Sequence, residues 1–172
     1  MSYTTYVVMK NDTLIGIASK DEVTSLYPGY SRSQIYERLK WLNNLENNTI
    51  IYVGQELRTS GDKVDDLVVK GQTAEVELGL RSDAERTLIA KWYWNKENTD
   101  KYEVKWVYGF ENGNNVVSKD YYETEKFSEL EFPDNVAYVE FYVKPISKTY
   151  SYGSNDVYYW NADWSTVKRY NY

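Results

Sequence analysis

The chain has 172 residues, with 20 Lys and Arg against 26 Asp and Glu for a formal charge of −6, and it contains neither cysteine nor histidine. That composition excludes disulfides, thiolate chemistry, histidine-dependent nucleophilic triads and the common zinc ligands. An acidic chain without a basic cluster does not suit nucleic acid, which needs grouped Lys or Arg on its phosphates, and no apolar run approaches the ~20 residues that cross a membrane.

This length accommodates one large domain or two small ones, and charge and aromatic content favour two. Residues 1–60 are neutral, with six basic and six acidic side chains, whereas residues 61–172 carry fourteen against twenty and hold 22 of the 29 aromatic residues. The boundary is expected near Thr59–Lys63, "TSGDK", a small polar stretch with a glycine, which gives domains 1–60 and 61–172. The opening, "MSYTTYVVMKNDT", has no charged region followed by an apolar one, so Sec export is not expected.

Thr5–Met9, "TYVVM", reads as a short strand because β-branched and aromatic residues suit a pleated, half-buried surface. Asp12 or Thr13 can then cap a helix by accepting a hydrogen bond from a free backbone N–H, with Leu14, Ile17 and Ala18 on one face. Tyr27–Tyr30, "YPGY", is turn chemistry. In "SRSQIYERLKWLNN", Ser31 with Gln34 forms a capping-box pattern, and Ile35, Leu39 and Leu42 make one apolar stripe. "TIIYV", Thr49–Val53, is the expected second strand, ended by Gly54. Strand, helix, helix, strand in under sixty residues makes a very small core of modest stability.

"YVVMKNDTLIGIA", then "LNN", then "IIYVGQEL" resemble the LysM module, a βααβ domain that binds N-acetylglucosamine-containing glycans such as peptidoglycan and chitin. The resemblance covers Ser2 to Thr59 and implies that Gly54–Gln55 turns the end of the second strand back to the core. It also implies a shallow sugar groove between the loop after strand one and the loop before strand two. The matching positions are Asn11, Asp12, Thr13 and Leu14 on one side and Asn48, Ile50, Ile51 and Tyr52 on the other. Backbone groups at a helix start and a strand end can bond acetamido groups, and a flat apolar side chain can take the methyl. The competing reading of the same residues is capping by Asp12 and Thr13 and core packing by Leu14, Ile51 and Val53. Two departures stand out. Asn11 replaces the usual glycine, in a position where asparagine tolerates left-handed backbone. "DEVTSLYPGYSRS", residues 21–33, lengthens the helix–helix connection by about ten residues relative to the family.

From Gln72 onward the period changes to two. Ala74, Val76, Leu78 and Leu80 alternate. So do Leu88, Ala90, Trp92 and Trp94, then Tyr102, Val104, Trp106 and Tyr108 against charged neighbours, then Ala137, Val139, Phe141 and Val143. These are half-buried strands, separated by the turn-forming "NKENTD", "ENGNN" and "FPDN", and they argue an antiparallel sandwich. A tryptophan-bearing second strand, a tyrosine-bearing third and a proline-led turn before Val136–Val143 resemble a fibronectin type III or immunoglobulin-like domain without cysteines. The expected fold class is therefore an α+β βααβ module followed by an all-β sandwich. Trp92, Trp94 and Trp106 fall at core positions. In the less regular tail, Tyr158, Tyr159, Trp160 and Trp164 are candidates for an edge strand with a partner-binding face, since amphipathic aromatics are enriched at interfaces. The acidic pairs Asp65–Asp66 and Glu123–Glu125 read as solvated surface; a glycosidase needs two carboxyls facing across a cleft. "DKVDD" with "SDAERT" lacks the glycine and spacing of an EF-hand and reads as turn.

The pairing of a LysM-like module with a cysteine-free, aromatic-rich sandwich resembles small tail and baseplate proteins of bacteriophages that infect Gram-positive bacteria. Phrases such as "FYVKPIS" and "YWNADWS" add to the likeness. This resemblance implies a structural virion protein, assembled in the host cytoplasm as part of an oligomeric particle. Its partners would be neighbouring tail or baseplate subunits, with peptidoglycan as a further contact. The alternatives are a stand-alone peptidoglycan-binding cell-wall protein with the sandwich as spacer, and the targeting subunit of a wall hydrolase. In each the chain is not itself an enzyme and calls for no cofactor or metal.

Overall fold

A computed structural model describes residues 2–65, 69, 71–113 and 115–172. The chain forms two compact units: Met1–Asp66 together with Gly79–Arg86, and Leu67–Leu78 together with Thr87–Tyr172.

In the first unit, strand β1 (Thr5–Val7) leads to helices α1 (Leu14–Ile17), α2 (Asp21–Thr24) and α3 (Arg32–Leu42), and the chain returns as β2 (Glu56–Arg58). The two strands pair antiparallel, Tyr6 opposite Leu57. Ser31 and Gln34 make the capping box that starts α3, each side chain bonded to the other's backbone N–H. The apolar stripe then turns inward, and Ile35, Leu39 and Leu42 join Val8, Leu14, Ile17, Ile51 and Leu57 in near-complete burial. Each such side chain contributes about 1.5–3 kcal/mol on leaving water. The long helix–helix connection is ordered. It contains α2, buries Val23, turns at Gly29 (φ +82°), and is tied down where the Tyr27 hydroxyl donates to the Thr59 carbonyl at 2.6 Å. Asn11 does take left-handed backbone, with φ 70°.

One expected strand is corrected. Thr49–Val53 is not the partner of β1; only Tyr52 forms an isolated bridge, to Arg81, and the paired strand is Glu56–Arg58. The Gly54–Gln55 turn forms, but it precedes the strand instead of ending it. Its cause is local: the Gln55 Oε1 accepts the Tyr52 N–H at 3.1 Å, the Gln55 N–H donates back to the Tyr52 carbonyl, and Gly54 supplies a φ of +86°.

The second unit holds a three-stranded sheet in the order β3 (Glu75–Leu80), β4 (Thr87–Tyr93), β7 (Phe127–Glu131). A four-stranded sheet runs β11 (Lys168–Asn171), β8 (Val136–Ser147), β5 (Thr99–Phe110), β6 (Val116–Glu123). The last two residues of β3 count with the first unit. Alternation along β5 buries Tyr102, Val104, Trp106 and Tyr108 as expected. The Phe141 ring of β8 lies 4.6 Å from Trp106 and stacks on Trp92 at 5.7 Å, so the three rings join the two sheets. Trp106 Nε1 donates to Ser128 Oγ on β7 at 3.0 Å, which satisfies a fully buried N–H. A bulge at Gly109/Phe110 shifts the end of β8, so Val136 and not Ala137 is buried there.

The aromatic tail is also corrected. Tyr158 ends β10 (Asn155–Tyr158), which pairs only with β9 (Thr149–Tyr152), while Tyr159, Trp160 and Trp164 lie outside any strand. The edge strand beside β8 is Lys168–Asn171 instead. Side-chain bonds hold the intervening chain out of the ladder. Ser147 Oγ accepts from the Tyr159 and Trp160 amides, Trp160 Nε1 donates to the Glu97 carbonyl at 2.8 Å, and Trp160 packs edge-on against Trp94 at 5.1 Å. Tyr158 and Tyr159 are exposed, whereas Trp160 and Trp164 are half-buried, so the four do not share one open face.

Candidate functional site

The groove of the first unit is built from three stretches of chain. The first follows β1. Of the two capping candidates, Thr13 caps α1: its Oγ1 accepts the Gly16 N–H at 3.1 Å. Asp12 braces the loop instead, its Oδ2 accepting from the Tyr6 hydroxyl at 2.6 Å and the Met9 N–H at 2.8 Å, with Lys20 at 3.6 Å from Oδ1. Burial pushes the Asp12 carboxyl up, but the Tyr6 hydroxyl, the Met9 N–H and Lys20 together hold it below the ordinary aspartate value.

Opposite lies the stretch before the Gly54 turn. Asn48 Oδ1 accepts the Ile50 N–H at 2.9 Å, an Asx-type turn that bends the chain and leaves Ile50 half-buried while Ile51 enters the core. Between them is a groove of about 190 Å³ lined by Asp12–Ile15, Tyr36 of α3 and Thr49–Ile51, together with Arg81–Asp83. The structure thus brings Asp12, Thr13, Leu14, Ile50 and Ile51 to one groove. Asn11, Asn48 and Tyr52 shape its loops without lining it.

The third stretch was expected only as a strand end and a turn, not as part of the groove. Leu80–Asp83 runs between the two loops. The Val53 N–H donates to the Leu80 carbonyl at 2.8 Å, Ser82 N–H to the Ile51 carbonyl at 3.2 Å, and the Asn11 N–H to the Ser82 carbonyl at 2.6 Å. Ser82 Oγ donates to the Asp12 carbonyl at 2.5 Å. Gly79 lets this stretch approach, since a β-carbon there would overlap the base of the Tyr52 side chain. Arg81 Nε donates to Asp83 Oδ1 at 2.5 Å, and this bond holds the Asp83 carboxyl below its usual range. Ile15, Tyr36 and Thr49 were missed as well. Ile15 is readable in hindsight as the outward neighbour of buried Leu14, whereas nothing local marks Tyr36 or residues 81–83.

Residues 6–60 match the family model described as the LysM domain. The N-terminal module is a LysM domain. No curated protein and no solved structure matches the chain. The LysM match covers less than half of the sequence and stops short of Arg81–Asp83, so the third wall of the groove is supplied from outside the family module.

Elsewhere, Glu123 accepts from Ser128 Oγ at 3.2 Å, and burial raises its pKa; Ser128 also meets the Tyr121 hydroxyl at 2.9 Å, so Glu123 serves the network around Trp106. Asp66 of the Asp65–Asp66 pair and of "DKVDD", and Asn114 of "ENGNN", lie outside the described residues. Among the described residues, no group of three or more acidic side chains is placed to hold a metal ion.

Proposed function

We propose that the chain binds N-acetylglucosamine-containing glycans, peptidoglycan first among them, through the LysM groove, with the β-sandwich unit as its spacer. The reading rests on one observation: within the stretch matched to LysM, Thr13–Ile15 face Thr49–Ile51 across an open groove. Half-buried Ile15, Ile50 and Tyr36 give its lining apolar surface suited to a pyranose face and an acetamido methyl. Thr13 and Thr49 add short polar side chains to the lining. The family match favours this glycan-contact alternative over a tail or baseplate role, which would add subunit contacts that no comparison points to. The reading assigns binding to the chain and not catalysis.

The test is co-sedimentation of the purified chain with insoluble peptidoglycan and chitin, beside de-acetylated chitosan and an Ile50→Asp variant whose fold is checked by circular dichroism. Retention on the acetylated polymers, lost with chitosan and with the variant, is the expected result. A native chain that stays in the supernatant with both acetylated polymers would sink the reading.

A further inference from the structure

Resting on that glycan reading, we propose that Arg81–Asp83 is a specificity-determining wall of the groove: Ser82 occupies the hydrogen-bonding groups between the two loops, and Arg81 and Asp83 add polar contacts to a neutral N-acetylated glycan.

An acetamido substituent carries one N–H donor and one carbonyl acceptor. Ser82 offers the same two groups and uses both: its N–H donates to the Ile51 carbonyl on one loop, and its carbonyl accepts the Asn11 N–H on the other. Its hydroxyl takes the Asp12 carbonyl as well. With Ser82 only 3% exposed, these groups are closed to a sugar. A buried amide position satisfied by the chain itself is not surrendered to a ligand that offers only an equal exchange of hydrogen bonds.

The flanking side chains differ. Those of Arg81 and Asp83 are 26% and 41% exposed, and both line the groove together with half-buried Ile15, Tyr36 and Ile50. A guanidinium donates to sugar hydroxyl and carbonyl oxygens, and a carboxylate accepts from sugar hydroxyls. Bonded to each other, the two present donor and acceptor side by side. Around the groove each carboxylate is matched by a cation, Asp12 by Lys20 and Asp83 by Arg81, a balance that suits a neutral sugar ring. Because the wall comes from beyond the family module, its effect belongs to the full chain.

The experiment titrates the full chain with a soluble N-acetylglucosamine oligomer and follows backbone amide chemical shifts. Arg81→Ala and Asp83→Ala are compared with a control, Glu85→Ala, an exposed side chain that meets Lys10 and does not line the groove. Expected are shifts at residues 81–83 together with Thr13, Leu14, Ile50 and Ile51. Loss of either wall side chain should weaken binding roughly three- to tenfold, the scale of one hydrogen bond. The control binds as wild type, and circular dichroism checks that each variant keeps its fold. If the oligomer shifts Thr13 and Ile50 but leaves residues 81–83 silent, and both variants bind normally, the wall is no part of the site and the glycan reading stands alone. If no chain responds to the oligomer, the glycan reading fails and the inference with it.

Discussion

Gly79→Ala probes how firmly the Leu80–Asp83 stretch is held. A β-carbon at position 79 would lie 2.7 Å from Cγ and 2.9 Å from Cβ of Tyr52, whereas carbon atoms pack comfortably at about 3.5–4.0 Å. These atoms sit at the root of the Tyr52 side chain and cannot swing aside as a ring tip can, so the backbone must give. Overpacking of this kind costs about 1–3 kcal/mol, and a midpoint of about 2 kcal/mol corresponds to roughly thirtyfold in a local opening equilibrium. The strain falls on the nearest hydrogen bonds, Val53 N–H to Leu80 at 2.8 Å and Asn11 N–H to Ser82 at 2.6 Å. Amide hydrogen exchange in the variant is expected to accelerate about 10- to 30-fold at Val53 and Asn11, while Val104 and Trp106 in the sandwich core keep their wild-type rates. Unchanged exchange at Val53 and Asn11 in a folded variant would refute the close docking of residues 79–82 on Tyr52.

Asp12→Ala should destabilise the LysM unit by about 3 kcal/mol, because two hydrogen bonds to a charged acceptor are lost; urea unfolding followed at that unit measures it. Since the folded carboxyl titrates below its ordinary value of 3.8, its contribution is fully present above pH 4 and fades as the pH falls through the lower folded value. The stability gap between wild type and variant should therefore close in acid, and a gap that widens below pH 4 would contradict the assignment. Ser128→Ala strips the acceptor from the buried Trp106 indole and should cost about 1–3 kcal/mol in denaturant unfolding of the sandwich. Lys91, on β4, is pulled down to about 8 by burial, an effect that Glu77 partly offsets. With the folded value depressed, stability is greatest above the ordinary lysine value of 10.5 and is lost as pH falls towards 8. Lys91→Met should accordingly raise the melting temperature at pH 7 and lose that advantage as the pH approaches 10.5.

The parts of this fold written in short windows were legible. The Ser31–Gln34 box, the Ile35–Leu39–Leu42 stripe and the left-handed Asn11 each depend on neighbours within one helical turn or on the residue itself. The alternation of Tyr102–Tyr108 survives because β5 lies between β6 and β8 with one face against the core. Thr49–Val53 misled because a β-branched run says only that the chain is extended; whether it joins a ladder was decided by the Gln55 side chain, which closes a turn on Tyr52. Strand β6 shows no clean alternation, since most of its residues are exposed at the edge of its sheet. In the groove, Asp12–Leu14 and Ile50–Ile51 could be anticipated from the LysM resemblance, whereas Arg81–Asp83 arrive from nearly thirty residues beyond Tyr52. No local pattern encodes that docking, because its bonds run through backbone groups that every residue type carries.

The architecture of the first unit explains why such a wall is useful to the fold as well as to the groove. Strands β1 and β2 pair over only three residues each, and an isolated two-stranded ribbon is marginal in water. The Ile51–Val53 stretch, outside the β1–β2 ladder, has N–H and carbonyl groups that need partners, as unpaired backbone edges invite other chains. Leu80–Ser82 meets that need, pairing with Ile51 and Val53 while Ser82 also ties down Asn11 and Asp12. Cover for the edge and a wall for the groove are therefore the same residues. A change that frees them exposes the Asn11 and Val53 N–H groups and the Asp12 and Ile51 carbonyls together, so groove shape and local stability must move in step. In a module this small, specificity is added most economically where the fold already requires a further strand.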